Sequence, residues 1–319
     1  MIRYIFKRLI AMIPILIAVS FIIYMIFTLA PGDAVTSMHV HMSKAKVAEL
    51  RHNYHLDESR IVQYLRWSYG AIHGDFGISY KLNEPVIQVI NKYIWNSFYL
   101  QFASFILSII VAIPVGVMSA VHKNSFFDRL FTTVSFIGIS IPTFFLGLIL
   151  IKWFAVDLNI LPIEGMTTVG ENLTGIKKVL DIGYHMVLPC VVLTFVNAAS
   201  LIRYVRSSML EVINKDYIVV ARSKGLKERV VIYKHALKNA MIPVVTILGM
   251  SIASLFTGAV VTEQIFGWPG IGKLSLDAVF QRDYPLLMGI NMITIVLLFV
   301  GNLVADVIYA LIDPRIKYK

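Results

Sequence analysis

Gly267-Trp268-Pro269-Gly270-Ile271-Gly272-Lys273 has the spacing of a phosphate-binding loop up to its last position. There Leu274 replaces the Ser or Thr hydroxyl that would ligate Mg2+, and no strand-like run precedes the motif, so nucleotide chemistry is not expected of it. Five histidines, His39, His41, His52, His55 and His73, share one polar segment near the N-terminus. Imidazole suits Ni2+ and Zn2+, and His39-Val40-His41 between Met38 and Met42 has the form of a transient metal handoff. The plainer reading is of solvated surface histidines. Cys190 is the single cysteine, which leaves no disulfide framework and no thiolate metal site. Neither an H-E-x-x-H motif nor a catalytic pair is present, so no enzyme chemistry is expected. The remaining candidate is residues 216–243, a basic, amphipathic, glycine-punctuated stretch of soluble character between two apolar runs. Its chemistry is that of a surface made to receive a partner.

The elements that must position these residues are membrane helices. Of 319 residues, 57% are hydrophobic and 15% charged, and mean hydropathy is +0.74; soluble domains are about a quarter charged. Charge is absent from windows at 9–32, 93–121, 130–151, 182–202, 239–262 and 284–305, each near the ~20 residues a helix needs to cross the hydrocarbon. Such runs are too long for barrel strands, which leaves an all-α integral membrane protein with six transmembrane helices. The first window follows Arg3, Lys7 and Arg8 but is too long for a signal-peptide core and lacks a cleavage site, so it is expected to stay as the first span.

The net charge of +10 is explained by placement rather than by nucleic acid. With the N-terminus in the cytoplasm, the inner segments hold Arg3, Lys7, Arg8, Lys123, Arg129, the basic residues of 203–238, Arg315, Lys317 and Lys319. The outer segments are balanced, so the orientation is N-in/C-in. The chain is then a single transmembrane domain, 1–319, with three notable loops. Residues 31–92 form an extracytoplasmic cap with short helices near 43–54 and 61–67 and breaks at Gly70, Gly74 and Gly77.

Residues 203–238 form the cytoplasmic loop: a helix over 211–224, a left-handed cap at Gly225, and a second helix over 227–238 leading into the fifth span. Tyr217, Val220, Ala221 and Lys224 fall at i, i+3, i+4 and i+7 beside Arg222, as a contact stripe. Residues 263–283 carry Phe266, Trp268, Pro269 and Gly270, an apolar Gly/Pro pattern that suits a re-entrant outer gate loop, allowed at membrane depth only when buried or lining a cavity. Asn197, Ser200, Ser251, Ser254, Thr257, Asn291 and Asn302 are polar within the last three spans, placed either to line a pathway or to join helices. Asp306, ionisable within the last span, is either a functional group or half of a structural pair.

Taken in order, several motifs resemble the membrane subunits of bacterial ABC importers, in the branch that carries dipeptides, oligopeptides and nickel. They include Ala30-Pro31-Gly32-Asp33, Gly74-Asp75-Phe76-Gly77-Ile78-Ser79, Ala221-Arg222-Ser223-Lys224-Gly225, His235-Ala236-Leu237-Lys238-Asn239-Ala240, Phe266 to Gly272, Arg282-Asp283-Tyr284-Pro285 and Asp313-Pro314-Arg315. The central segment is similar to the family's coupling loop, with Val219-Val220-Ala221 where Glu-Ala-Ala is general.

The resemblance implies a type I ABC importer permease fold in the bacterial cytoplasmic (plasma) membrane. It implies a non-catalytic subunit with no cofactor of its own, ATP and Mg2+ being held by separate ATPase subunits. The implied partners are a second homologous permease, two cytoplasmic ATPases and an extracytoplasmic substrate-binding protein. Asp216, Tyr217, Val220, Ala221, Arg222, Lys224 and Gly225 are the implied coupling residues. The expected cargo is di- and oligopeptides, with nickel or a metal chelate as the alternative. A stand-alone channel or secondary transporter would show deep ionisable residues or inverted repeats, and only Asp306 is found.

Overall fold

The computed structural model describes residues 2–29, 44–53 and 55–312. His39, His41, Ala30 to Asp33 and Asp313 to Arg315 lie outside the described residues. Among the described residues, regular structure is helical: α1 (Ile2–Leu29), α2 (Lys44–Asn53), α3 (Arg60–Ile72), α4 (Val86–Val121), α5 (Phe126–Ser140), α6 (Thr143–Asp157), α7 (Gly175–Ile213), α8 (Asp216–Ser223), α9 (Glu228–Phe256), α10 (Val260–Ile265), α11 (Ile271–Gln281) and α12 (Tyr284–Ile312).

Among the described residues, five helices are long and apolar enough to cross a membrane, within α1, α4, α7, α9 and α12. The window at 130–151 is instead a broken span, with α5 and α6 meeting at 105°. The break falls at Ile141-Pro142. A proline ring disfavours helical geometry in the residue before it, and Ile141 is extended at φ −73°, ψ 127°. The fifth window also ends early. Gly258 sits at φ +75°, so the helix stops at Phe256 and residues 260–262 pass into α10.

The central pair is α4 and α7, the most extensively packed helices of the bundle. Ser104, Ser108, Ala112, Gly116 and Ala120 recur every fourth residue on α4 and are buried. Small side chains let membrane helices approach closely, where packing rather than water expulsion drives association. A Cβ on Gly116 would lie 2.7 Å from that of Val205. The Ser104 and Ser108 hydroxyls donate to carbonyls of Gln101 and Phe105, so neither is left unpaired.

A second small-residue seam joins α9 to α12, with Gly249 facing Ala305 and Gly301 facing Ala253. Asp306 pairs with Arg8 of α1, the structural outcome of the two weighed for it. On the outer side the buried Asp283 accepts bonds from the Ser79 hydroxyl at 2.5 Å and the Lys81 N–H at 3.1 Å. That contact fastens the cap loop to the start of α12 across 204 residues of sequence.

Candidate functional site

The basic cytoplasmic loop folds into a short docked helix. The helix expected over 211–224 is two: Glu211 to Ile213 finish α7, and the chain turns through Asn214 and Lys215 before α8 begins. Asn214 favours that turn because its amide donates to the Leu210 carbonyl at 2.9 Å. An eight-residue helix is not stable alone. Burial holds α8 in place: Ile218 is 0% exposed and, with Ala221, joins Val117, Ala120, Met209, Val212, Val231, Ile232 and Ala236 in one apolar cluster.

Ala221 was expected on the outward contact stripe and is instead turned inward, because Ile218 and Ala221 at i and i+3 form the apolar pair that seats the helix. The outward face presents Tyr217 (46% exposed), Val219, Val220 (52%) and Lys224. Asp216 lies in the first turn and Arg222 in the last, complementing the helix dipole. Arg222 donates to both Glu228 oxygens at 3.1 and 2.8 Å, closing the loop onto the start of α9, and that carboxylate raises the guanidinium further above its ordinary pKa. Between them Gly225 adopts φ +71°, which an L side chain rarely tolerates, and its N–H bonds the Arg222 carbonyl at 2.9 Å.

Within the membrane, Asn197, Ser200, Ser251 and Ser254 line one cavity of about 300 Å3 between α4, α7 and α9. Thr257 and Asn291 do not line it; like Ser251 and Ser254, which do, each bonds a carbonyl of its own helix. Asn302 is likewise outside the lining. Gln101, Ser108 and Tyr204 do line it and were not singled out from sequence. Gln101, an amide inside an otherwise apolar run, was the available signal. One turn outward, Phe98 stacks on Phe256 at 4.7 Å, with Trp95 edge-on beside them.

Residues of the segment at 263–283 pack into the protein. Phe266 and Trp268 are buried, and Trp268 donates its indole N–H to the Asn96 carbonyl at 3.0 Å. Asn96 in turn donates to the Pro269 carbonyl at 2.8 Å. The phosphate-loop-like backbone around Gly270 holds an anion-type group of its own chain. Glu263, 0% exposed, accepts from the Lys273 N–H at 2.9 Å, the Ala259 N–H at 3.0 Å and the Ser97 hydroxyl at 2.7 Å. A Cβ at Gly270 would sit 2.4 Å from the Glu263 carboxyl carbon. The cradle is filled from within.

Two family descriptions match the chain. "Binding-protein-dependent transport system inner membrane component" matches residues 112–318, and the corresponding N-terminal family matches residues 1–101. The oligopeptide transport system permease protein AppB of Bacillus subtilis is 43% identical, with all of both chains covered. The dipeptide transport system permease protein DppB of Escherichia coli is 36% identical, again over all of both chains. An inward-facing structure of the MetNI methionine ABC transporter shares the fold: TM-score 0.57 at 17% identity, covering 71% of this chain and 97% of that one.

Proposed function

The chain belongs to the family of binding-protein-dependent transport system inner membrane components, and from that premise we propose that it is one permease half of an ATP-driven importer of di- and oligopeptides. It is a multi-pass subunit of the plasma membrane without catalytic activity of its own. The peptide assignment is supported by full-length relatives named for oligopeptide and dipeptide transport. Nickel has no comparable support. Two cytoplasmic ATPases, a second permease and an extracytoplasmic binding protein complete the assembly.

The observation that carries the mechanism is that α7 and α9 both hold the cytoplasmic knob and supply walls of the membrane cavity. Tyr217, Val220 and Lys224 face outward to meet the ATPase, with Asp216 and Arg222 at the helix ends. Ala221 and Gly225 shape and seat the knob. Closure of the ATPases on ATP displaces α8 as a rigid body, and the buried Ile218–Ala221 pair passes the displacement to α7 and α9. Tilting these helices changes access to Asn197, Ser200, Ser251 and Ser254. The element bearing Phe266, Trp268, Pro269 and Gly270 closes the outer end, anchored to α4.

The test is reconstitution of the complete complex in proteoliposomes, with uptake of radiolabelled di- and tripeptides or 63Ni2+ into the lumen as the readout. ATP-dependent peptide accumulation is expected. Accumulation of nickel alone, or solute movement by this chain without its partners or nucleotide, would overturn the assignment.

A further inference from the structure

We infer that Arg203 forms a carboxylate-binding subsite at the inner end of the pathway, where it receives the C-terminal carboxylate of a peptide leaving the membrane; this rests on the peptide-import reading above. The inference starts from the two faces of α7. Ala198, Leu201, Val205 and Met209 are buried against the bundle. Asn197, Ser200, Tyr204 and Ser207 fall at i, i+3, i+7 and i+10 on another face, where Asn197, Tyr204 and Ser207 are exposed and Ser200 is half-buried. A polar ridge of this length on a membrane helix is costly against lipid and marks a water-filled or subunit-facing path.

Along that ridge lie two cavities. The outer one, about 300 Å3, is lined by amides, hydroxyls and apolar groups with no charged residue. The inner one, about 540 Å3, lies between α5 and α7 and contains Arg203 and Arg206 with the hydroxyls of Thr132, Tyr204 and Ser207. Ser200 and Tyr204 line both, so the two are continuous along the helix.

The two arginines are not equivalent. Arg206 is taken up by Asp128, donating from Nε at 2.6 Å and from a terminal nitrogen at 2.8 Å. Arg203 lies over the Phe136 ring, 4.7 Å from its centroid, and has no carboxylate partner among the described residues. A guanidinium over a ring keeps its in-plane N–H donors for a second ligand, and their fork matches a carboxylate. Cargo moving along an uncharged lining therefore meets its first fixed cation at Arg203. The carboxylate that every unmodified peptide brings to this cation, whatever its side chains, is its free C-terminus.

The complete complex in proteoliposomes tests this with a tripeptide carrying a free C-terminal carboxylate and the same tripeptide as its amide, each pre-bound to the binding protein. Arg203→Gln should lower the acid-to-amide uptake ratio about tenfold, the scale of one lost charge-assisted hydrogen bond, and Arg203→Lys should restore part of it. An unchanged ratio in Arg203→Gln overturns the subsite. Equal loss of both cargoes, reproduced in the unaltered complex by replacing anionic with zwitterionic lipid, overturns it in favour of a lipid headgroup. If the unaltered complex moves neither peptide with ATP, the import reading falls and the subsite with it.

Discussion

Ser97 on α4 donates its hydroxyl to the Glu263 carboxyl on α10 at 2.7 Å, and the same oxygen accepts the Ile271 N–H at 2.8 Å. Two side chains 166 residues apart thus close a largely buried polar network that ties α4 to α10 and α11. Glu263→Ala would strand the Ser97 hydroxyl and two backbone N–H groups. Each buried orphan costs about 1–3 kcal/mol, so a large fall in the melting temperature of the purified protein is expected. Glu263→Gln keeps one acceptor and should fall less. Equal melting temperatures for Glu263→Ala and the unaltered protein would show that the network does not stabilise the fold.

The short helix α8 separates an exposed face from a buried seat, and the proposed coupling role assigns them different tasks. Val220→Asp alters an exposed position and should leave assembly of the complex intact while reducing peptide-stimulated ATP hydrolysis severalfold. Ile218→Ala removes a fully buried side chain, at a cost of about 2–5 kcal/mol. It should loosen the knob and lower both assembly and stimulated hydrolysis. Co-purification of the ATPases together with stimulated hydrolysis separates the two outcomes. Stimulation unchanged in Val220→Asp would remove that face from the coupling contact.

Asp128, at the start of α5, holds Arg206 of α7 in a two-point ion pair, while also accepting the Asn124 N–H at 2.9 Å. Removing Asp128 leaves the half-buried Arg206 guanidinium without its counter-charge, which is destabilising. Asp128→Asn alone should therefore lower stability more than Asp128→Asn combined with Arg206→Gln. Thermal melts of the three proteins in detergent make the comparison. Additive losses would show that the two groups do not act as a pair.

Gly116 fits under Val205 with no room for a side chain, a Cβ there lying 2.7 Å from that of Val205. Gly116→Leu forces α4 and α7 apart and should abolish accumulation of folded protein, whereas Gly116→Leu with Val205→Gly should recover part of it. Normal yield from Gly116→Leu alone would count against close packing as the basis of this pair.

Part of the membrane cavity's lining was legible in the chain because membranes impose simple rules. Asn197, Ser200, Ser251 and Ser254 stood out as polar groups in apolar runs, and they share a cavity. Thr257 and Asn291 stood out equally but lie outside it, although all four of Ser251, Ser254, Thr257 and Asn291 bond carbonyls of their own helices. A hydroxyl or amide in lipid can bond a carbonyl of its own helix whichever way it faces, so spacing along one helix does not say which of them borders a gap between helices. The four-residue repeat of small residues on α4 was also present in the sequence, and its partner could not be named without knowing which helix lies opposite.

The sequence by itself determined the all-helical membrane character, the sidedness and the glycine that ends the knob, since hydropathy, lysine and arginine placement and positive φ are local properties. Tertiary structure alone decided that Ala221 points inward, that Gly116 packs under Val205 and that Glu263 fills the cradle at Gly270. Each of those outcomes depends on atoms brought close by helices distant in the chain, and one-dimensional order carries no record of which surfaces meet.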